Sequence, residues 1–555
     1  MKAYAFITAA AVVIIPLSVT GSQSLMALSL ILGMFLWIRR PGQPLTTGLP
    51  LAERLPALNW FSVTGWSLFA WLLIVYGIRS AQYYLFDHPL YNPSPYHNEL
   101  TDFFLFLFGF LAFRHLLHSF VDKGSGPPRE TGMPIAKTEQ ILKGITLTLS
   151  VFAVITVITG GMAVFSEVRL SKLFTGHGAD FHAGNRPQFL FRQMGDLSLF
   201  RPIGFMNTRL SYAGILLFSQ VILVHNFLES LRFGNRSSSR ETGLLERRPG
   251  PLLSTLFWAV LSGLGLVVSL MNGSRSGQIG ILLALGLLLS YRFLAWRLHS
   301  KARRIAGSDG SPGINLNDGS IHRSASKQDA SGDTQQSLPK QNTIEQTITA
   351  HLAQGTGKRK ILVLLGLLLI AGTSWLYLHM LQSGTHRHTD FMRPLIWHGS
   401  FSIFLEHPLL GIGPGNFTDW FHEWARSFYA EHPRTMYFLE ITPDSHAHND
   451  LLHLMVLGGV PAGLLFFGLI FHAVRSLLEA MRNGIVSRGA SEIREARGTI
   501  QASNLLNLEV AIRTSLPGFL VAGLSQCYFQ DDEVVVVFWV FLFAAEALKK
   551  LQRLS

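Results

Sequence analysis

Long apolar segments recur along this chain of 555 residues and are separated by shorter polar stretches. A helix needs about 20 mostly apolar residues to cross a bilayer, and each segment approaches that length. We therefore predict an all-α, polytopic integral membrane protein with about twelve transmembrane helices. The segments are 3–20, 22–38, 59–77, 101–120, 142–165, 210–231, 251–271, 277–295, 361–380, 449–474, 511–529 and 533–548.

The polar stretches divide the chain into three regions. Residues 1–296 carry the first eight predicted helices. Residues 297–360 are rich in Gly, Ser, Asp and Gln and have no apolar periodicity, so we expect a disordered cytoplasmic loop. Residues 361–555 hold helices nine to twelve and a large loop, 381–448, in which we expect short helices. This loop and the loop 166–208 mix aromatic residues with both charge signs, so we look for function there.

Composition and charge support a membrane protein. Only 14% of the residues are charged, against about 25% in a typical soluble protein, and 48% are hydrophobic. With the N-terminus in the cytoplasm, 32 of the 46 Lys and Arg residues fall on the inner side and 12 on the outer side. Arg114 and Arg513 lie at predicted inner helix ends. The net charge of +12 then reflects topology, and nucleic-acid binding has no separate support. The single cysteine, Cys527, excludes an intramolecular disulfide.

The densest polar cluster lies at the outer mouth of the tenth predicted helix, in T-P-D-S-H-A-H-N-D at 442–450. His446 and His448 could act as neutral bases near pH 7. An equally good interpretation is that Ser445 or Asn449 caps the helix that follows. The H-x-H pair beside Asp444 and Asp450 could also bind zinc, but a third spaced ligand is missing, so we expect no metal.

Three arginines lie in outward-facing polar positions. Arg393 precedes a glycine-rich turn, Gly411 to Gly415, which lacks the G-K-[ST] of a phosphate-binding loop and is best explained as a tight bend. Arg275 occupies a short polar break between two apolar helices and is either a membrane-surface anchor or an anion ligand. Arg209 begins another helix and permits the same two interpretations. Arginine holds phosphate with a fixed donor fork, so two arginines and a histidine base would suit transfer from a diphosphate.

These blocks resemble the O-antigen ligase and O-antigen polymerase superfamily of bacterial membrane glycosyltransferases. The resemblance is carried by S-R-S-G at 274–277, by R-P-L-I-W with the downstream H-P-L-L-G-I-G-P-G-N-F at 393–417, and by H-A-H-N at 446–449. It implies that His448 is the catalytic base and that Arg275 and Arg393 bind the substrate diphosphate. His446 and Asn449 would support the site. Arg209 has no counterpart in the pattern, and we treat it as a hypothetical further phosphate contact.

The resemblance also implies the reaction. The protein would transfer a glycan from undecaprenyl diphosphate to an acceptor hydroxyl at the periplasmic face of the bacterial inner membrane, with inversion and without a metal or other cofactor. We expect an O-antigen ligase that attaches glycan to lipid A-core. The main alternative is an O-antigen or exopolysaccharide polymerase acting on a growing polysaccharide, and a lesser one is a transporter or flippase of lipid-linked glycan. Partners would be these lipids and the membrane, without nucleic acid, and both termini would be cytoplasmic.

Overall fold

A computed structural model describes residues 2–38, 60–91, 100, 102–121, 135–170, 188–206, 208–237, 250–308, 388–435, 445–494 and 500–554. These residues form thirteen α-helices and one β-hairpin. The helices are α1 (Lys2–Ile14), α2 (Val19–Ile38), α3 (Trp60–Phe86), α4 (Asp102–Val121), α5 (Ile135–Val164), α6 (Arg209–Ser237), α7 (Gly250–Asn272), α8 (Arg275–Ser308), α9 (His388–Glu406), α10 (Phe417–Glu431), α11 (Asp450–Arg494), α12 (Ile500–Gly523) and α13 (Asp532–Leu554).

The structure is that of a polytopic helical membrane protein. Seven of the described helices are long and apolar enough to cross a bilayer, and α1, α2 and α4 contain shorter apolar stretches. Eleven of the twelve predicted segments coincide with helices, and the ninth, 361–380, lies outside the described residues. The count of twelve membrane crossings therefore stays a prediction. The short helices expected in the loop 381–448 are present as α9 and α10.

Three expectations need correction. The all-α prediction omits a β-hairpin in the loop 166–208, where strands β1 (Leu190–Met194) and β2 (Leu197–Phe200) pair antiparallel, with Gly195 at φ 60° in the turn. Helix α8 continues to Ser308 and covers the first residues of the predicted disordered loop, whose alanines and arginines favour helix. Helix α12 ends at Gly523 rather than near residue 529, because polar residues follow it.

The core of the bundle is built around α12 and α13. Helix α12 packs against α6, α8, α11 and α13, and bulky side chains such as Phe519, Trp539 and Phe541 are fully buried there. At the crossing of α8 and α12 the backbones touch: a Cβ added at Gly518 would lie 2.5 Å from the carbonyl oxygen of Gly280. Small residues at such crossings are typical of helices packed inside a membrane.

A buried ionic cluster joins α12 to α13. Arg513, which is 0% exposed, lies in the middle of α12 and not at a helix end. Its Nε donates to Glu509 at 2.8 Å and its Nη2 donates to Glu546 at 2.8 Å. Gln552 donates to the other oxygen of Glu509 at 2.7 Å. Charges inside a bundle are tolerated when they are paired in this way.

Helix α11 is interrupted in its third turn. Gly459 leaves the helical conformation (φ 67°, ψ −165°), and Pro461 follows it. Proline has no N–H, so the carbonyl of Leu457 loses its helical partner, and the break at Gly459 also frees the carbonyl of Val456. Unpaired backbone carbonyls at this depth would be costly in a membrane.

The glycine-rich turn before α10 supplies the missing donors. Ile412 N–H donates to the carbonyl of Val456, and Gly413 N–H donates to that of Leu457, both at 2.9 Å. Gly411 has φ 66°, and a Cβ on it would collide with the backbone of Leu457. The turn is therefore a structural element that fastens the loop carrying α9 and α10 to α11, as the sequence favoured.

Candidate active site

The H-A-H-N segment forms a tight turn that ends at the start of α11. His448 adopts φ 49°, a left-handed conformation that is uncommon for a residue other than glycine and that often marks a functional position. The turn brings the two imidazole rings edge to face, with centroids 4.1 Å apart. The main-chain N–H of His448 donates to Nδ1 of His446 at 3.2 Å, so the ring proton of a neutral His446 lies on Nε2.

Asn449 caps α11, as one of the two sequence interpretations proposed. Its Oδ1 accepts a hydrogen bond from Leu452 N–H at 3.0 Å, which is the N-cap geometry. Its Nδ2 donates to the carbonyl of Leu524 at 2.9 Å, and its N–H donates to Sγ of Cys527 at 3.2 Å. Capping by Asn449 and a chemical role for His448 are compatible, because the cap fixes the turn that carries the histidine.

The segment 524–531, between α12 and α13, packs against the turn that carries both histidines. Nδ1 of His448 lies 3.3 Å from Oε1 of Gln526. Phe529 N–H donates to the carboxylate of Asp450 at 2.9 Å, and Gln530 donates to the carbonyl of Ser445 at 3.1 Å. We refer to residues 524–531 as the floor segment. The sequence analysis missed it, because the apolar Leu524, Cys527, Tyr528 and Phe529 resemble the end of a helix.

The environment of His448 keeps its imidazole neutral. Burial, together with the positive charge of Arg393, lowers the pKa of His448 to about 4, while the bond to Gln526 acts in the opposite direction. Burial also lowers the pKa of His446, with the neighbouring histidines and Arg393 acting in the same direction. Both rings are therefore free of charge at neutral pH, and a neutral imidazole is the form that accepts a proton.

Arg393 reaches this site from α9, which packs against α11. It lies in the second turn of its helix, directly before Pro394, and is half-buried. Its charge acts on both His446 and His448, so the structure brings together the arginine and the two histidines that the sequence singled out. His453, one turn into α11, adds to the same electrostatic environment.

Arg275 is the first residue of α8, and the serines beside it connect it to the floor segment. Ser276 lies 3.2 Å from the hydroxyl of Tyr528, and Ser274 lies 3.1 Å from Ser276. Burial raises the pKa of Tyr528 to about 12, so its hydroxyl stays protonated. His448 and the Arg275 turn thus rest on two residues of one short segment, Gln526 and Tyr528.

Arg209 begins α6, and its guanidinium lies over the ring of Phe189 at 5.7 Å from the centroid. Asn272 links the backbone of Arg209 to the turn that carries Arg275. The Nδ2 of Asn272 donates to the carbonyl of Arg209 at 3.0 Å, and the Oδ1 of Asn272 accepts a hydrogen bond from Ser274 N–H at 3.1 Å. Ser211 in α6 also bonds Asp531 of the floor segment. Arg209 therefore belongs to the same connected end of the bundle.

Two other features of the structure bear on alternative sites. Within the described part of the chain, no group of three or more His, Cys, Asp or Glu side chains is arranged to hold a metal. A cavity of about 660 Å³ lies between α5, α6 and α7 and is lined by Lys143, His225, Glu229 and Trp258 among others. Because Glu229 lies about 30 Å along α6 from Arg209, this cavity is remote from the histidines.

Comparison with known protein families identifies the region that holds the histidines. Residues 351–467 match the family model described as O-antigen ligase. Over these residues the chain is similar to the O-antigen ligase superfamily. Arg393, His446, His448 and Asn449 lie within the matched region, and Arg209 and Arg275 lie outside it. A search of curated proteins found no match. The match supports a glycosyltransferase of the O-antigen ligase or polymerase type.

Proposed function

We propose that the protein transfers a glycan from undecaprenyl diphosphate to an acceptor hydroxyl at the periplasmic face of the inner membrane, and that it is an O-antigen ligase whose acceptor is lipid A-core. The single observation that carries the proposal is His448, a neutral imidazole beside Arg393 in a region that matches O-antigen ligases. The excess of basic residues on the opposite side of the predicted topology supports a periplasmic site and cytoplasmic termini.

The proposed step is a direct displacement at the anomeric carbon. His448 takes the proton of the acceptor hydroxyl, and the hydroxyl oxygen forms a new bond to that carbon. The bond between the carbon and the diphosphate oxygen breaks, and undecaprenyl diphosphate leaves with the electron pair. Attack from the face opposite the leaving group inverts the configuration. A positioned base contributes about 10²- to 10⁴-fold to such a reaction.

The arginines supply the positive charge that the leaving group requires. Arg393 and Arg275 would bind the diphosphate through their planar forks, and Arg209 would add a further contact from the same end of the bundle. Because these cations neutralise the departing diphosphate, the proposed reaction needs no metal, and we expect transfer to persist in EDTA. His446 presents an Nε2–H donor for substrate, and Asn449 holds the turn in place.

A lipopolysaccharide gel of a strain lacking this gene tests the proposal. We expect core-only lipid together with accumulated long lipid-linked glycan, and both changes should be reversed by the wild-type gene. Core that carries a single repeat would assign the protein to the polymerases instead. Unchanged lipopolysaccharide with loss of a secreted polymer would assign it to exopolysaccharide synthesis. If the strain changes neither its lipopolysaccharide nor a secreted polymer, the proposal is contradicted.

A further inference from the structure

Gln526 contacts the imidazole ring of His448, which the proposed reaction uses as a base. It is 5% exposed and belongs to the floor segment, which no sequence motif covered. Its Oε1 is 3.3 Å from Nδ1 of His448, and Gln526 is the side chain whose hydrogen bond acts on the pKa of that histidine. An amide oxygen only accepts hydrogen bonds, so Nδ1 must carry the proton in this contact.

The consequence concerns the second nitrogen of the ring. A neutral imidazole has one N–H and one lone pair, and a hydrogen bond at one nitrogen determines which form is present. With the proton held on Nδ1, the lone pair of His448 is on Nε2, the ring nitrogen that does not bond Gln526. His446 has the opposite arrangement, because its Nδ1 accepts the main-chain N–H of His448. The turn therefore has a hydrogen-bond acceptor at Nε2 of His448 and a hydrogen-bond donor at Nε2 of His446.

We propose that Gln526 is a positioning residue that holds His448 in the tautomer with its Nε2 lone pair available for the acceptor proton. This inference rests on the proposed function, because it assumes that His448 is the base. The charged and titratable groups that act on His448 are Arg393 from α9 and His453 from α11, with His446 in the same turn. The acceptor that the structure places at Nδ1 is Oε1 of Gln526, so we expect the tautomer to depend on this contact.

Two substitutions of Gln526 in the intact protein test the inference. Gln526→Leu removes the acceptor and nearly preserves the shape of the side chain. We expect kcat to fall about tenfold or more, because a general base contributes about 10²- to 10⁴-fold to the rate and this variant loses part of that contribution. Gln526→Glu keeps an acceptor at Nδ1 and adds a negative charge. It should retain activity at pH 8 and move the acid limb of kcat/KM to higher pH, because a carboxylate raises the pKa of a neighbouring imidazole.

The matched control is Gln530→Leu, which removes a glutamine four residues away whose side chain donates to the carbonyl of Ser445. It should leave the acid limb in place. A second readout is independent of activity: ¹⁵N spectra of histidine-labelled protein, with the His448 signal assigned by its loss in His448→Ala, should show protonated Nδ1 in the wild type and a changed signal in Gln526→Leu.

The outcomes separate this inference from the proposed function. If Gln526→Glu loses as much activity as Gln526→Leu, or if ¹⁵N spectra show protonated Nε2 in the wild type, the assignment of Gln526 is wrong. In either case the base role of His448 would still stand if His448→Ala abolishes transfer. If His448→Ala transfers glycan normally, the proposed function of the site fails, whatever the Gln526 variants do.

Discussion

The pH dependence of transfer follows directly from the environment of His448. An exposed histidine with a pKa of about 6.5 would be neutral in only about 3% of molecules at pH 5. Burial and the charge of Arg393 lower the pKa of His448 to about 4. With that pKa about 90% of the molecules keep the neutral ring at pH 5. The two cases differ by about 30-fold in the fraction of competent base.

The assay is kcat/KM measured from pH 4 to 8 with purified protein in detergent, lipid-linked glycan and lipid acceptor, because this parameter reports the pKa values of the free enzyme. We expect activity to change little between pH 8 and pH 5 and then to decline. Removing the charge in Arg393→Gln should move the decline only part of the way towards pH 6.5, because burial is the larger cause. A wild-type decline centred near pH 6.5 would refute the electrostatic account of the site.

Three further predictions concern Arg393, the glycine turn and the ionic cluster. Arg393→Lys keeps the charge but loses the planar fork, so transfer should fall at least tenfold in the same assay, and full activity would reduce Arg393 to a simple charge. Gly411→Ala should lower the free energy of unfolding in detergent by about 1–3 kcal/mol, because the added Cβ would collide with the backbone of Leu457. The control Gly263→Ala should not lower it, because the space around Gly263 is open. Arg513→Met should destabilise by about 3–5 kcal/mol, and adding Glu509→Gln and Glu546→Gln should restore most of the loss; destabilisation that persists would show that the ion pairs are not its cause.

The pattern of apolar segments predicts most of the helices. Long apolar segments predict membrane helices because backbone groups in a bilayer must be bonded within the segment. Eleven of the predicted segments coincide with helices for this reason. The ends of the helices were less predictable. The floor segment is apolar enough to resemble a continuation of α12, and the polar residues Gln526, Gln530 and Asp531 were the signal that the helix had ended.

The site was predictable where its residues are chemically unusual for their position. An outward-facing arginine and a histidine pair stand out against an apolar chain, and the structure brings Arg393 close to His446 and His448. The supporting contacts were not predictable, since Gln526 lies 78 positions from His448 in the chain and only the fold joins them. Arg513 was misplaced for a related reason, because its partner Glu546 belongs to another helix.

The measurement that tests the central claim most directly is glycan transfer by purified protein reconstituted in liposomes with undecaprenyl-diphosphate glycan and lipid A-core. The wild type is compared with His448→Ala and with the control His472→Ala, which changes a histidine far along α11. With a base worth about 10²- to 10⁴-fold, His448→Ala should lose transfer by that factor while staying folded and membrane-inserted, and His472→Ala should stay active. Near-normal transfer by His448→Ala would contradict the account.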